Sequence, residues 1–405
     1  MDPVEIAAGL AEFEQRAPGS DSERRAALWL RRRLREVGRK AVLEPAWVRP
    51  QWPWVHSIHA ALGLAGAVVA AFQPLAGIII LAVTAASAAL DLLGVAHVAR
   101  RLTPERCTQN LVSPPTEATR AGAQRLVRLM IVAHYDAPRG GLAVRNRPRR
   151  LAATAQRLLR GRLPGAPSLV VIAPALVLAA AGVRLAVPGL GWPAIAAVPC
   201  TAALVVALAM LVELGLSPRG PGAGDPASGA GVAVALAAAL DRSPPRHLAV
   251  ELVLAGAGDG PSLGMRAFVR RRRGRYAAEA TAVLHLAACG RGRPSWWTVD
   301  GPLVSLRLHP RLVAICGEAA KDRPDLGATP HRGHGAGAAW RARRARWPAV
   351  TVGCLDEDGV VPDVGQASDS AQRLDRRAMD AALSFCLEVV RRLDAELGSR
   401  AGAQP

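Results

Sequence analysis

Hydrophobic positions fall along this chain in three patterns, and each predicts a different kind of element. The first is helical spacing. Residues 3 to 16 read as one helix, and Ala27, Leu30, Leu34 and Val37 mark a second that ends at Gly38. Ser20 and Glu23 are placed as a capping box at its start, and a strand over 41–48 follows it. The second pattern is continuous. Val55 to Phe72 is almost uninterruptedly apolar, pauses at Gln73-Pro74, and resumes from Leu75 to Ala96. Each half approaches the ~20 residues that cross a bilayer. Trp47, Trp52 and Trp54 precede the pair, as an interfacial aromatic belt would. Two more apolar runs, 168–187 and 192–214, flank the tight connection Pro188-Gly189-Leu190-Gly191, with Trp192 beside it. Two transmembrane hairpins, four helices in all, are expected. His56 and His59 are spaced for one helix face and expected at the interface rather than on a metal. Arg149 to Leu163 sets Leu151, Leu158 and Leu159 among arginines, the pattern of a basic amphipathic helix lying on the membrane.

The third pattern alternates. Near-continuous apolar strands at 126–135 (from Leu126), 247–257, 281–289 and 347–355 interleave with helices at 227–240, 264–273, 310–321 and 374–397. This predicts an α/β fold: a mostly parallel central sheet flanked by helices, in three layers. The sheet needs segments from both sides of each hairpin, so the hairpins are insertions into one domain. The α/β domain then comprises 1–53, 98–166 (including the basic juxtamembrane helix) and 217–398, the hairpins 54–97 and 167–216, and 399–405 reads as a disordered tail.

Composition supports the membrane reading: 51% of the 405 residues are hydrophobic and only 4% aromatic. The formal charge is +19, and all but Lys40 and Lys321 of the 51 basic residues are arginine, a bias that a GC-rich genome would produce. No helix-turn-helix, RNP or zinc-finger pattern accompanies the charge, so nucleic acid is not an expected partner; the lipid bilayer and its anionic headgroups are. The hairpin tips are nearly uncharged, with Arg184 near one. The flanking segments carry Arg100, Arg101, Arg106, Arg147, Arg149, Arg150, Arg157, Arg160 and Arg219. The positive-inside rule therefore sets the globular domain on the cytoplasmic face of the cell membrane. Six cysteines lie without CxxC spacing and read as small buried hydrophobes, and the opening residues lack the basic-then-apolar pattern of a signal peptide.

One strand ends in candidate chemistry. His134-Tyr135-Asp136 closes the run 126–133: the histidine offers an imidazole, and the aspartate two positions on lies on the same face, placed to orient it. Across the second hairpin, Gly222-Ala223-Gly224-Asp225-Pro226-Ala227-Ser228-Gly229 brings an aspartate to a helix start. Together with Pro18-Gly19-Ser20, Asn110 to Val112 and Leu263-Gly264-Met265-Arg266-Ala267-Phe268, these motifs resemble, in order and spacing, the zinc-dependent exopeptidases of the M28 aminopeptidase family. The resemblance covers nearly all of the globular part. It implies His134 as a metal ligand with Asp136 behind it, and Asp225 as the carboxylate bridging two zincs.

The remaining family positions depart from that pattern. The resemblance puts Gly258 and Asp259 where the family carries a general-base glutamate and a ligand glutamate. Glycine cannot take a proton from a metal-bound water, and Asp259 is one methylene short. The next ligand position holds Ala287, and the last, in Gly365-Gln366-Ala367-Ser368-Asp369-Ser370, holds Gly365. Each metal would keep two protein ligands where a catalytic zinc normally has three and a water. His285, His331 and His334 are the candidate substitutes, against the plainer reading of a strand residue and two loop residues. Asp356, Glu357 and Asp358 read as a solvated turn, Ser228 as a helix-start residue with no relay, Arg270 to Arg273 as a solvated helix end, and Gly256 to Gly260 as no phosphate loop.

Zinc is expected to be at most single, not a pair. Three functions compete. One is a membrane-embedded pseudo-peptidase serving a binding or regulatory role. The second is an active zinc hydrolase with a rearranged, mononuclear site built on His134, Asp225 and Asp259. The third is a transporter, disfavoured because Asp91 and Glu213 lie near span ends and no helix is broken.

Overall fold

The computed structural model describes residues 1–120, 127–159, 161, 163–187 and 189–402. Leu126 of the predicted strand, Arg160, Pro188 at the second hairpin tip and tail residues 403–405 lie outside the described residues. The chain opens with α1 (Pro3–Ala11), capped by the Asp2 carboxylate accepting from Val4 N–H at 2.9 Å. It is shorter than the predicted 3–16, because Gln15 takes a positive φ of 51° and turns the chain. In α2 (Asp21–Glu36) the Ser20 hydroxyl accepts from Glu23 N–H at 3.1 Å, and the Glu23 carboxylate reaches back to Gly19 N–H at 2.6 Å. That is a capping box displaced by one residue.

After β1 (Val42–Val48) come α3 (Trp52–Phe72) and α4 (Pro74–Leu92), then β2 (Arg106–Ser113), α5 (Glu117–Arg120) and β3 (Val127–His134). Next are α6 (Asn146–Leu158), α7 (Leu169–Ala186), α8 (Trp192–Leu216), α9 (Ser228–Arg242), β4 (Leu248–Ala255) and α10 (Leu263–Arg272). The chain ends through β5 (Thr281–Leu286), β6 (Arg293–Asp300), β7 (Leu306–Arg307), α11 (Pro310–Asp322), β8 (Thr329–Arg332), α12 (Ala338–Arg344), β9 (Ala349–Leu355) and α13 (Arg376–Gly402).

The sheet runs in the order β1-β2-β4-β3-β5-β9-β6-β7, with β8 on β6. It is mixed rather than mostly parallel. The centre, β4-β3-β5-β9, is parallel, whereas β1, β2 and β4 pair antiparallel on one side and β9, β6 and β7 on the other. Strand β6 lies outside the predicted strands: Arg293 and Pro294 open it, and its paired Trp296 and Trp297 stand where the other strands carry aliphatic residues. Period-two alternation sorts β3 onto two cores. Leu129, Ile131 and Ala133 face α1, α2, α9, α11 and α13; Met130 and Val132 face α10 and α12. Three layers result. Helix α13 continues to Gly402, through positions expected to be a disordered tail.

Among the described residues, five helices are long and apolar enough to cross a membrane. One of them, Ala223–Arg242, is 89% buried and is the central core helix α9 with its preceding turn. The other four, α3, α4, α7 and α8, pack as a bundle in which each touches the next around a ring. Glycines let the backbones close: a Cβ on Gly77 would overlap the Ala70 backbone, and one on Gly66 would meet Leu81 Cγ at 2.9 Å. His56 and His59, expected at an interface, are instead turned into the bundle (3% and 1% exposed), with His59 Nε2 3.0 Å from the Ser87 hydroxyl. Asp91 closes this polar base, taking Arg100 Nε and Nη2 at 2.6 and 2.8 Å and His97 Nδ1 at 2.6 Å.

Registers Val48↔Arg106 and Leu111↔Leu254 bring the start of the first hairpin to the carboxyl end of β4, the same edge where β3 ends in His134. That edge is where open α/β sheets place ligands. The core predicts its own test: Phe385 is fully buried and stacked on Trp296 with ring centroids 6.0 Å apart. Phe385→Ala should lower stability by about 3–5 kcal/mol, read as an earlier thermal transition of the detergent-purified chain.

Candidate functional site

From Leu129 to Ala133 strand β3 is apolar and buried, and it ends at the sheet edge, so His134 emerges where buried strand meets loop. Tyr135 is turned inward, its hydroxyl donating to Gln109 C=O at 2.6 Å. Asp136 is fully buried, and its carboxylate accepts from the loop after β4. Gly258 N–H donates to its Oδ1 at 2.6 Å and Asp259 N–H to its Oδ2 at 3.0 Å. Two charge-assisted bonds to backbone thus tie the loop after β4 to the loop after β3.

The Asp225 loop is held in the same way. Gly222 takes a left-handed φ of 63°, and the Asp369 carboxylate accepts from Gly224 N–H at 2.7 Å and Asp225 N–H at 3.2 Å. The Ser228 hydroxyl donates to Gly224 C=O and accepts from Cys289 N–H, both at 2.7 Å, a purely structural role. Asp225 and Asp259 are neighbours whose carboxyls burial pushes up. His134 and Arg149 pull Asp225 back down, and Arg219 does the same for Asp259. Arg219 Nη1 lies 3.1 Å from Asp259 Oδ2, both side chains largely enclosed, and also donates to Ala137 C=O. A guanidinium is therefore the counter-cation of Asp259.

The positions that depart from the M28 pattern are closed as well as altered. A Cβ built on Gly258 would overlap Cβ, Cγ and Cδ2 of His134. One on Gly365 would overlap the Arg139 carbonyl, and Gly365 has a φ of 70° that side chains rarely adopt. Ala287 sits just beyond β5 with its carbonyl pressed against Gly229. Neither a base at 258 nor a ligand at 365 has room in this packing.

The candidate substitutes lie elsewhere. His285 is buried on β5, its Nδ1 3.2 Å from the Thr351 hydroxyl, and burial pushes it down to about 3, so it is neutral. It lies under the glycine-rich loop beside Asp300, which accepts from Gly301 and Gly335 N–H at 3.0 and 2.7 Å. His331 rests edge-on against Trp297 with centroids 4.9 Å apart, and His334 follows on the next loop. Both line a cavity of about 1020 Å³ between α6 and the turn at 355–360. Among the described residues no three His, Cys, Asp or Glu side chains come together to hold a metal ion. A zinc pair does not fit the donors present, because Asp259 already pairs with Arg219 and the other two positions of the pattern, Ala287 and Gly365, carry no donor side chain.

Two residues that shape the site were not singled out from sequence. Arg219 was one more charge outside a span, and Asp369 one residue of the altered motif at 365–370. No local pattern announces that either will meet a carboxylate or an amide from a distant loop.

An α/β sheet covered on both faces, with its loops gathered at the carboxyl end of the central strands, is the fold of zinc exopeptidases and glutaminyl cyclases. Among solved structures the chain is similar to Porphyromonas gingivalis glutaminyl cyclase, at 13% identity and TM-score 0.56 over 97% of each chain. It is also similar to a leucine aminopeptidase precursor from Bacteroides thetaiotaomicron (14%, TM-score 0.54, 96% of each chain). A Zn-dependent exopeptidase from Parabacteroides distasonis matches at 13% identity and TM-score 0.54, over 96% of this chain and 97% of that one. At these identities the likeness is one of fold. No family profile and no curated protein sequence matches the chain.

Removing one partner of the enclosed ion pair should cost more than removing both. Arg219→Met should destabilise by about 3–5 kcal/mol, and Arg219→Met with Asp259→Leu should recover most of that loss in a thermal-unfolding double-mutant cycle.

Burial also raises the Asp300 carboxyl to about 7 and Glu23 to about 8. Between their unfolded values near 4 and these folded values, the folded state binds more protons than the unfolded. Stability should therefore fall as pH rises through that window. Asp300→Asn should flatten the fall between about pH 4 and 7, measured as midpoint temperature against pH; an unchanged slope would show that Asp300 does not contribute.

Proposed function

We propose that the chain is a membrane-embedded pseudo-peptidase: an M28-like domain that has lost peptide hydrolysis and binds or regulates at the cytoplasmic face of the cell membrane. The observation that carries this reading is the closure at Gly258 and Gly365. In the M28 reading these positions held the general base and a ligand, and each is now filled by neighbouring backbone or ring. A simple loss of two side chains would leave space for water and a metal; here the space itself is gone. Arg219 beside Asp259 adds to this, supplying the positive charge that a carboxylate pair would otherwise draw from a cation.

Four helices of sufficient length and apolarity, paired as hairpins between segments of one sheet, support the membrane placement. The arginines flanking them support the cytoplasmic side. The proximity of His134, Asp225 and Asp259 favours the second reading, a hydrolase with one zinc at a rebuilt site.

Elemental mass spectrometry on the detergent-purified chain separates the two. The pseudo-peptidase should carry no stoichiometric zinc and give no aminopeptidase turnover. About one zinc per chain, lost in His134→Ala with Asp225→Ala, together with turnover would establish the hydrolase instead. Gly258→Glu with Gly365→His should restore neither zinc nor activity and should lower the melting temperature, because both side chains enter occupied space.

A further inference from the structure

The cavity beside α6 has a chemistry that the degenerate peptidase site does not use. Helix α6 is amphipathic in the wrong sense for a soluble domain. Its polar side faces the protein: Arg149 donates to Val361 C=O, and Arg150 and Arg157 lie 3.1 and 3.3 Å from the Asp358 carboxylate. Its apolar residues face out, with Leu151 72% and Leu158 78% exposed. Those arginines neutralise the acidic wall of the cavity.

The opposite wall is formed by β8 and the loop after it, and it carries Arg332. Arg332 is exposed and has no carboxylate or hydrogen-bond partner among the described residues. His334 lies next to it, with a buried Nδ1 that also lacks a partner, and His331 follows, braced on Trp297. Burial holds both imidazoles below their ordinary range, so near neutral pH each keeps one N–H to donate and adds no charge.

The connection from α6 to α7 runs over this cluster. Gly161 packs against the Arg332 guanidinium, where a Cβ would meet Nε at 2.6 Å, and Gly165 packs on His334, where a Cβ would meet its Cβ at 3.3 Å. Helix α7, one of the four apolar helices, begins at Leu169. His334 stands between Arg332 and His331, close enough to interact electrostatically with both, and a free guanidinium with neutral N–H donors beside it is a phosphate-binding set. Its place at the foot of an apolar helix, beside an outward leucine face, puts that set at the level of lipid headgroups.

We propose that Arg332, His334 and His331 bind the phosphate of an anionic glycerophospholipid, with Leu151 and Leu158 seated among the acyl chains beside it. This rests on the membrane placement proposed above and is independent of whether a metal is bound. The lipid, rather than a peptide, is then the ligand of the cleft side of the domain.

The test uses the full chain purified in neutral detergent and native mass spectrometry to count retained lipid. Dioctanoyl phosphatidylglycerol should be retained at one per chain, whereas dioctanoylglycerol, which has no phosphate, should not. Arg332→Gln should cut retention at least tenfold. Arg293→Gln, on β6 elsewhere in the cavity lining and with no side-chain partner among the described residues, should change it less than twofold. Equal losses in the two variants, or none in either, would overturn the site in favour of diffuse charge or adventitious lipid. Glycerol 3-phosphate competing as strongly as the lipid would assign the site to a soluble phosphate and overturn the lipid. Carbonate extraction of cell membranes reports separately on the placement itself: a chain released by carbonate would refute that reading, whatever the lipid count shows.

Discussion

At the carboxyl end of β3 three loops approach one another more closely than side chains would allow. Gly365 lies against the Arg139 carbonyl, Gly258 against the His134 ring, and Gly220 against the backbone of residues 365 and 366. Glycine has no Cβ, so these contacts bring main chain onto main chain and onto ring. The same closeness removes water from the carboxylates around it. Asp136, Asp225, Asp259 and Asp369 share this edge, and each must find a partner within the protein or stay protonated. Two solve the problem with backbone amides: Asp136 through Gly258 and Asp259, Asp369 through Gly224 and Asp225. Asp259 takes a guanidinium. The result is a set of braces between loops.

Those braces reach into the bundle. Arg219 follows α8 within a few residues, while Arg139 donates to the Gly215 and Ser217 carbonyls at the end of α8 and to Gln51 just before α3. Trp52, the first residue of α3, packs on Gly260 beside Asp259. Displacing either helix would therefore disturb the loops that carry Gly258, Asp259 and Gly365. The polar base around Asp91 and Arg100 adds a second attachment: Arg341 on α12 donates to Pro261 C=O while packing against Gly94 beyond α4. The two parts of the molecule share one polar seam, so mutations at the sheet edge should be read for their effect on the bundle as well.

Much of the architecture was legible because it is periodic. Helices α9, α10, α11 and α13, the apolar strands β3, β4, β5 and β9, and the four long apolar helices all follow from spacing alone. What escaped was set by tertiary partners. The antiparallel flanks of the sheet depend on which strand β6 finds, and β6 carries Arg293, Pro294 and two tryptophans where aliphatic residues were sought. Asp136 sits at the spacing of an orienting carboxylate, yet its partners are amides of residues 258 and 259, far along the chain. The glycines at 258 and 365 could be seen as missing side chains, but only packing reveals that nothing could be put back.

Helix α9 shows where hydropathy reaches its limit. It meets the same length and composition test as the bundle helices, but its small residues, Gly229, Gly231 and a run of alanines, let it nest against α1 and β3. Helix α8 passes the test with Ile195, Val198, Val205 and Val206 pointing away from the protein, each more than half exposed. An apolar helix costs nothing exposed when it is surrounded by protein, and a great deal when its surroundings are water. The outward faces of α4, α7 and α8 have no protein over them, and the exposed leucines of α6 continue that surface toward the cleft. The membrane proposed above would cover these faces, and would account for two hairpins that the sheet does not need.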